Sequence, residues 1–113
     1  MGLAAGARDD ATDRTLRALV EPHRRAILRL VADSERAAGE IAETFDVSRT
    51  AVSQHLTILK DAELITERRE GTRRLYRARP EGLKELRDFL DDMWATSLRT
   101  ARDLVEAEPE SDN

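Results

Sequence analysis

The sequence predicts a mainly α-helical fold with one small β-hairpin. Three observations lead to this prediction: helical spacing of apolar residues through residues 14–60, an alternating pattern at residues 64–78, and a long apolar stripe at residues 83–105. A chain of 113 residues has the size of one domain and can bury only one small core. The wide apolar stripe near its end therefore suggests that it shares surface with a partner.

Residues 48–60 form the most informative predicted helix. Val52, Leu56 and Leu59 share one face at the i, i+4, i+7 spacing. The other face is polar and free of carboxylates, with Arg49, Thr50, Ser53, Gln54 and Thr57. Ser48 can cap the N-terminus, which then favours a phosphate. Such side chains also read base edges in a DNA major groove, although an ordinary amphipathic helix with a solvated face would show the same pattern.

The segment before this helix predicts further short helices. Residues 1–12 are small, polar and aperiodic, and we predict a disordered tail. Asp13 can cap a helix at residues 14–20, and Pro22 suits the first turn of another at residues 22–32. On the latter, Arg24, Arg25 and Arg29 are expected to form a solvated or salt-bridged face, with phosphate contact as the alternative.

A helix-turn-helix arrangement is predicted at residues 37–62. Residues 37–45 form a helix of about two turns, and Asp46 and Val47 form a tight turn into the helix at residues 48–60. Asp46 stands where Gly is frequent, and Asp tolerates the left-handed conformation better than most residues. Small Ala42 allows close approach of the two helices.

A β-hairpin is predicted at residues 64–78, with its turn at Glu70, Gly71 and Thr72. Its tip is basic, with Arg68, Arg69, Arg73 and Arg74. Such a tip often serves only solubility, but beside a helix-turn-helix it indicates a wing that contacts DNA phosphates or the minor groove. The charge supports this interpretation, because residues 48–79 hold eight basic and four acidic residues in a chain of net charge −4.

Several classes of function are disfavoured by the composition. The chain has no Cys, and it shows no Gly-rich phosphate loop and no nucleophile beside a base, so we predict no enzyme and no cofactor. Without a long apolar run or a signal-peptide pattern, we expect a soluble cytoplasmic protein with no membrane partner.

The last helix is predicted at residues 83–105, after a break at Pro80 and Gly82. Its apolar residues follow a near-heptad spacing, and a second stripe adds Phe89, Trp94, Leu98 and Val105. This stripe could fold back on its own chain or meet a second copy. Residues 106–113 are predicted to be an acidic, disordered tail.

Taken together, the sequence resembles the ArsR/SmtB family of winged helix-turn-helix transcriptional regulators. The resemblance rests on EPHRRAILRLV at residues 21–31, GEIAETFDVSRTAVSQHLTILKDAELI at residues 39–65 and ERREGTRRLYRA at residues 67–78. It implies a sequence-specific repressor, domain 13–105, that binds double-stranded operator DNA as a homodimer. The alternatives are a winged-helix protein-interaction module or a metal-responsive repressor with an atypical site.

The resemblance and the residue pattern together assign two sets of site residues. The predicted DNA-binding residues are Ser48, Arg49, Thr50, Ser53, Gln54, His55, Thr57, Lys60, Arg68, Arg69, Arg73 and Arg74. The predicted dimer interface comprises Leu16, Leu83, Leu86, Leu90, Met93, Trp94, Ser97, Leu98, Ala101 and Leu104. For His55, a structural hydrogen bond is as compatible with the sequence as a phosphate or sugar contact.

No metal site is predicted. The places where many relatives hold metal ligands carry Ala37, Ala38 and Glu40 in one region and Asp88, Asp91 and Asp92, without histidine, in the other. The only histidines, His23 and His55, belong to different predicted helices. The sequence identifies no effector.

Overall fold

The computed structural model describes residues 3–107, with side chains from Asp10 onward. It contains five α-helices, a three-stranded sheet and a short 3₁₀ helix at Pro80–Leu83. The helices are α1 (Leu3–Leu19), α2 (Pro22–Asp33), α3 (Ala38–Phe45), α4 (Arg49–Asp61) and α5 (Lys84–Ala107), and the strands are β1 (Arg36–Ala37), β2 (Ile65–Glu70) and β3 (Arg73–Ala78). This is the mainly helical fold with a small sheet that the sequence predicts.

The core lies between α2, α3, α4 and the sheet. Val52, Leu56 and Leu59 of α4 are buried there, as their spacing predicts. They pack in one cluster with Ile27, Val31, Ile41, Leu64, Ile65 and Tyr76. Burial of this apolar face fixes which side of α4 remains exposed.

The turn between α3 and α4 has the geometry that its sequence suggests. Asp46 adopts the left-handed conformation with φ of 52°, and its backbone N–H donates to the carbonyl of Ala42. The hydroxyl oxygen of Ser48 accepts a 3.0 Å hydrogen bond from the backbone N–H of Ala51, which confirms Ser48 as the N-cap of α4.

The sheet has the order β1-β3-β2 and is antiparallel throughout. Gly71 and Thr72 alone join β2 to β3, a shorter turn than predicted, and Gly71 has φ of 64°. Strand β1, whose Arg36 and Ala37 pair with Tyr76 and Leu75, is not predicted from the sequence. This strand covers one edge of β3 beside the helix-turn-helix.

The first helix differs from the prediction. It begins at Leu3 rather than at residue 14, so the part of the predicted tail at residues 3–12 is helical, and residues 1–2 lie outside the described part. Four alanines in this stretch, at positions 4, 5, 7 and 11, favour a helix strongly enough to offset its polar residues and glycine. Glu106 and Ala107 likewise continue α5, and residues 108–113 lie outside the described part.

Two arginines of α2 hold the C-terminal end of α1. Arg24 donates from Nε to the carbonyl of Ala18 at 2.7 Å, and Arg25 donates from Nη1 to the carbonyl of Leu19 at 2.6 Å. Cations suit a helix C-terminus because carbonyl groups there lack partners within the helix. The predicted solvated face is thus partly a connection between helices.

Helix α5 packs against α1 and leaves the rest of its length exposed. None of its residues is buried, and its apolar stripe faces away from the core of its own chain. The alternative in which this helix folds back and buries its stripe on its own chain is therefore wrong. Among residues 3–107, no helix is both long and apolar enough to cross a membrane.

Candidate nucleic-acid interface

A groove of about 440 Å³ runs between α4 and the β2–β3 hairpin. One wall is the exposed face of α4, with Arg49, Thr50, Ser53 and Gln54, and the other includes Arg74 and Tyr76 of β3. No carboxylate lines this groove among the described residues. The fold thus brings the predicted polar face of α4 and one predicted hairpin arginine to one concave surface.

The N-terminal end of α4 is open toward this groove. Arg49 is the first residue of the helix and lies against Gly39 of α3, where an added Cβ would be 3.3 Å from Arg49 Nη1. Further along, Thr57 is exposed, and its hydroxyl donates to the carbonyl of Ser53 at 2.9 Å. Backbone N–H groups and a guanidinium at one end provide donors for an anion.

Glu67 ties the hairpin to the end of α4. Its carboxylate accepts hydrogen bonds from the Tyr76 hydroxyl at 2.6 Å and from Lys60 Nζ at 3.3 Å, and Arg74 Nη1 lies 3.8 Å away. The Tyr76 hydrogen bond, aided by Lys60, lowers the pKa of Glu67 against the opposing effect of desolvation. Desolvation and the adjacent carboxylate raise the pKa of Tyr76 to about 12, so the phenol stays protonated as a donor.

Glu67 and Tyr76 are not among the site residues predicted from the sequence. Their signal is weak in the sequence, because a Glu within a basic strand is usually solvated and a Tyr in a strand usually packs in a core. In the fold, Glu67 and Tyr76 are directly paired across β2 and β3. Their hydrogen bond holds the wall of the groove in place, and Glu67 also engages Lys60, a predicted DNA-binding residue.

The hairpin arginines have different surroundings. Arg68 donates from Nε and Nη2 to both oxygens of Glu35, each at 2.7 Å, and this pairing lowers the pKa of the Glu35 carboxyl. Arg73 lies 3.4 Å from Glu40 of α3. Arg69 is exposed and has no carboxylate within 4.0 Å among the described residues. Arg68 is thus occupied within the chain, whereas Arg69 and Arg74 remain more available.

His55 lies on the far side of α4 from the groove and makes contacts within the chain. Its Nδ1 is 3.4 Å from Arg24 Nη1, and its ring stacks on His23 with centroids 5.9 Å apart. Desolvation lowers the pKa of His55, with Arg24 and His23 acting in the same direction and Glu21 against it. This placement favours the structural role for His55 over a DNA contact.

The structure also corrects the view of the two histidines as separate. His23 Nδ1 lies 3.2 Å from Glu21 Oε1, and His55 Nε2 lies 3.9 Å from Glu21 Oε2. Different helices therefore do not keep these side chains apart, because Glu21 and His23 at the start of α2 lie against α4. Glu21, His23 and His55 form one cluster of possible metal ligands.

The predicted dimer residues lie on α1, the 3₁₀ helix and α5. Leu86 is half-buried, and the others are exposed. Among the large apolar side chains of this set, the exposed fraction runs from 36% for Leu83 to 66% for Leu104. Trp94 and Leu98 expose 57% and 65% of their surface. Leu16 of α1 is also exposed, at 47%. The structure of one chain thus leaves this apolar surface uncovered.

Known proteins resemble this chain in sequence and in fold. A family model described as a helix-turn-helix domain matches residues 19–68. The HTH-type transcriptional regulator Rv2034 of Mycobacterium tuberculosis is 45% identical over 96 residues, which cover 85% of this chain and 90% of that protein. The transcriptional repressor SdpR of Bacillus subtilis is 42% identical over 59 residues, covering 52% of this chain and 66% of SdpR.

A solved structure extends the comparison to the whole fold. It is the solution structure of the homodimeric winged helix-turn-helix DNA-binding domain of Mb0332 from Mycobacterium bovis, a possible ArsR-family transcriptional regulator. The TM-score is 0.69 at 29% identity, and the match covers 97% of this chain and 95% of the other. The likeness therefore includes the helix-turn-helix, the hairpin and the terminal helices.

Proposed function

Because the chain belongs to the ArsR/SmtB family of winged helix-turn-helix transcriptional regulators, we propose that it represses transcription as a homodimer bound to a palindromic operator. Helix α4 would enter the major groove, and the β2–β3 hairpin would follow the DNA backbone. The observation that carries this proposal is the groove between α4 and the hairpin, which is lined by Arg49 and Arg74 and by no carboxylate. The carboxylate beside it, Glu67, is bound by Tyr76 and Lys60. Such a surface can meet the edge of a polyanion without repulsion from within the groove.

Helix α4 is proposed to supply the base contacts. Gln54 offers the donor and acceptor pair that matches an adenine edge, and Arg49 can reach a guanine or a phosphate. Ser48, Thr50, Ser53 and Thr57 provide hydroxyl groups along the same exposed side. Because α4 is held on its other face by buried Val52, Leu56 and Leu59, these side chains project from a fixed helix.

The hairpin is proposed to supply phosphate contacts. Arg69 and Arg74 are the main candidates, and Arg73 and Lys60 can contribute if phosphates compete with Glu40 and Glu67 for them. Arg68 is assigned instead to the ion pair with Glu35. Phosphate contacts release counterions, so the affinity is expected to fall steeply with salt.

In a twofold dimer, the two copies of α4 would lie on the same face of the molecule. Dimer formation is proposed through α5 together with Leu16 of α1, because the apolar stripe of α5 is exposed along the helix. The homodimeric state given for the Mycobacterium bovis domain supports this assignment. Two recognition helices about 34 Å apart would then meet successive major grooves on one side of a palindrome.

The proposal is tested by fluorescence anisotropy of the purified chain with two duplexes of equal length. One duplex comes from the region upstream of the chain's own gene, and the other is its scrambled sequence. We expect tighter binding to the upstream duplex, with a preference that persists at near-physiological salt. A control duplex carrying a second, unrelated promoter tests whether any preference reflects base composition alone.

The possible results separate the competing functions. Equal binding to all duplexes that disappears with salt would contradict operator recognition in this region and leave only charge attraction. Absence of binding at low salt, with a folded dimer by light scattering and circular dichroism, would favour the protein-interaction module instead.

A further inference from the structure

We propose that Glu21, His23 and His55 form a binding site for one Zn²⁺ ion within each chain. Glu21 and His23 come from the N-terminal end of α2, and His55 comes from the side of α4 that faces this end. One ligand atom from each lies within 4.8 Å of the others. This site is separate from the proposed DNA surface, and its test does not depend on DNA binding.

The distances are close to those of a tetrahedral zinc site. Zinc bonds of about 2.0–2.1 Å to nitrogen and oxygen place neighbouring ligand atoms roughly 3.3 Å apart. His23 Nδ1 is already 3.2 Å from Glu21 Oε1, and His55 Nε2 is 3.9 Å from Glu21 Oε2. These distances involve the two different oxygens of Glu21, and the imidazole planes of His23 and His55 are nearly parallel. Binding therefore requires rotation of at least one imidazole ring, so that the lone pairs of both rings point to one ion.

The local backbone presents two of the ligands together. Glu21 is the N-cap of α2, and Pro22 occupies the first helical position, so the Glu-Pro-His segment has restricted torsions. The backbone N–H of Arg24 donates to Glu21 Oε2 at 3.1 Å and orients the carboxylate. A hydrogen bond of this kind to a ligating carboxylate strengthens a metal site.

The chemistry of the three side chains also suits zinc. Two imidazoles and one carboxylate form a donor set that Zn²⁺ accepts, with water at the fourth position.

Access and charge are compatible with this assignment. The side chain of His23 is 52% exposed, which leaves a route for the ion and for a water ligand. Arg24 is a neighbouring cation, and its Nη1 lies 3.4 Å from Nδ1 of His55, whereas the other ring nitrogen, Nε2, faces Glu21. Zinc bound to Nε2 of His55 would place the imidazole proton on Nδ1, which could then no longer accept a hydrogen bond from Arg24. Arg24 would keep its hydrogen bonds to the carbonyls of Ala18 and Arg17.

The test uses the full chain without a polyhistidine tag, stripped of metal with EDTA and titrated with Co²⁺ in the absence of DNA. We expect one Co²⁺ per chain with the visible absorption of tetrahedral coordination, and displacement of this signal by an equivalent of Zn²⁺. His23→Gln and His55→Gln are expected to weaken Co²⁺ binding by at least about 10-fold to 100-fold, the loss that even an outer hydrogen-bond partner of a ligand causes.

A matched control removes carboxylates elsewhere. The double variant Asp88→Asn and Asp91→Asn on α5 should bind Co²⁺ like the unmodified chain. Because His55 is partly buried, folding of each variant is checked by circular dichroism, and the exposed His23→Gln carries the test if His55→Gln does not fold. Absence of a tetrahedral spectrum, or equal Co²⁺ affinity in the folded His23→Gln variant, would overturn the proposal.

Discussion

The side chain of Gln54 is exposed on α4 and lines the groove opposite Arg74. These two residues represent the two kinds of contact that the proposed function needs. An amide can match one base pair, whereas a guanidinium beside a strand can neutralise a phosphate of any sequence. Their roles can therefore be separated by comparing affinities on different duplexes.

We expect Gln54→Ala to reduce the preference for one base pair in each half-site, at a cost of roughly 1–3 kcal/mol on the operator. Arg74→Ala should weaken operator and scrambled duplexes by similar factors and lower the salt slope by about one. Anisotropy titrations at several salt concentrations measure both effects. Arg99→Ala on α5 removes the same charge as Arg74→Ala and serves as its control. If Gln54→Ala and Arg74→Ala each changed the affinity for the two duplexes by the same factor, the proposal that α4 reads bases and the hairpin binds phosphates would be wrong.

At the level of elements, the end of β3 is held by a close contact with the segment after α4. The backbone N–H of Arg79 donates to the carbonyl of Leu64 at 2.7 Å, and Gly82 lies against the carbonyl of Glu63. A Cβ built on Gly82 would be 2.0 Å from that oxygen. Only glycine fits this approach without movement of the backbone that leads into α5.

Gly82→Ala is therefore expected to lower the free energy of unfolding by about 1–3 kcal/mol, the usual cost of a forced contact in a packed region. Urea denaturation followed by circular dichroism measures this change. Gly39→Ala is the control, because its Cβ would meet only the flexible end of Arg49, at 3.3 Å. We expect Gly39→Ala to keep or raise the stability, since alanine favours a helix over glycine. An unchanged urea midpoint for Gly82→Ala would show that the contact relaxes easily.

Elements with regular periodicity could be predicted from the sequence, and contacts between distant segments could not. The predicted boundaries of α2, α3, α4 and the hairpin lie within two residues of those observed, because apolar spacing, Ser48, Asp46 and Gly71 are local signals. Strand β1 has only two residues and exists through its pairing with β3. Likewise, the Arg68–Glu35 pair and the His23–His55 stack join residues about thirty positions apart, and no local pattern indicates them.

The single chain is elongated as a whole molecule. Its principal extents are 70 × 39 × 21 Å, and its radius of gyration is 19.8 Å. A compact domain of this length would have a radius of gyration near 13 Å. The difference arises because α5 extends along 24 residues and packs mainly against α1 and the preceding 3₁₀ helix. An isolated chain would leave the apolar stripe of this helix in water, which is unfavourable.

The apolar stripe of α5 provides the test of the proposed dimer. We expect the double variant Leu90→Glu and Met93→Glu to dissociate it, because four carboxylates would meet across the twofold axis in an apolar surface. Multi-angle light scattering should then report half the mass of the unmodified protein, with circular dichroism verifying that the helices remain. Arg99→Glu changes the net charge by the same two units on the opposite face of α5, as judged by helical spacing, and should retain the dimer mass.

Loss of operator affinity is expected to accompany dissociation, since each chain alone would contact one half-site. A folded double variant with unchanged mass would remove this part of α5 from the interface.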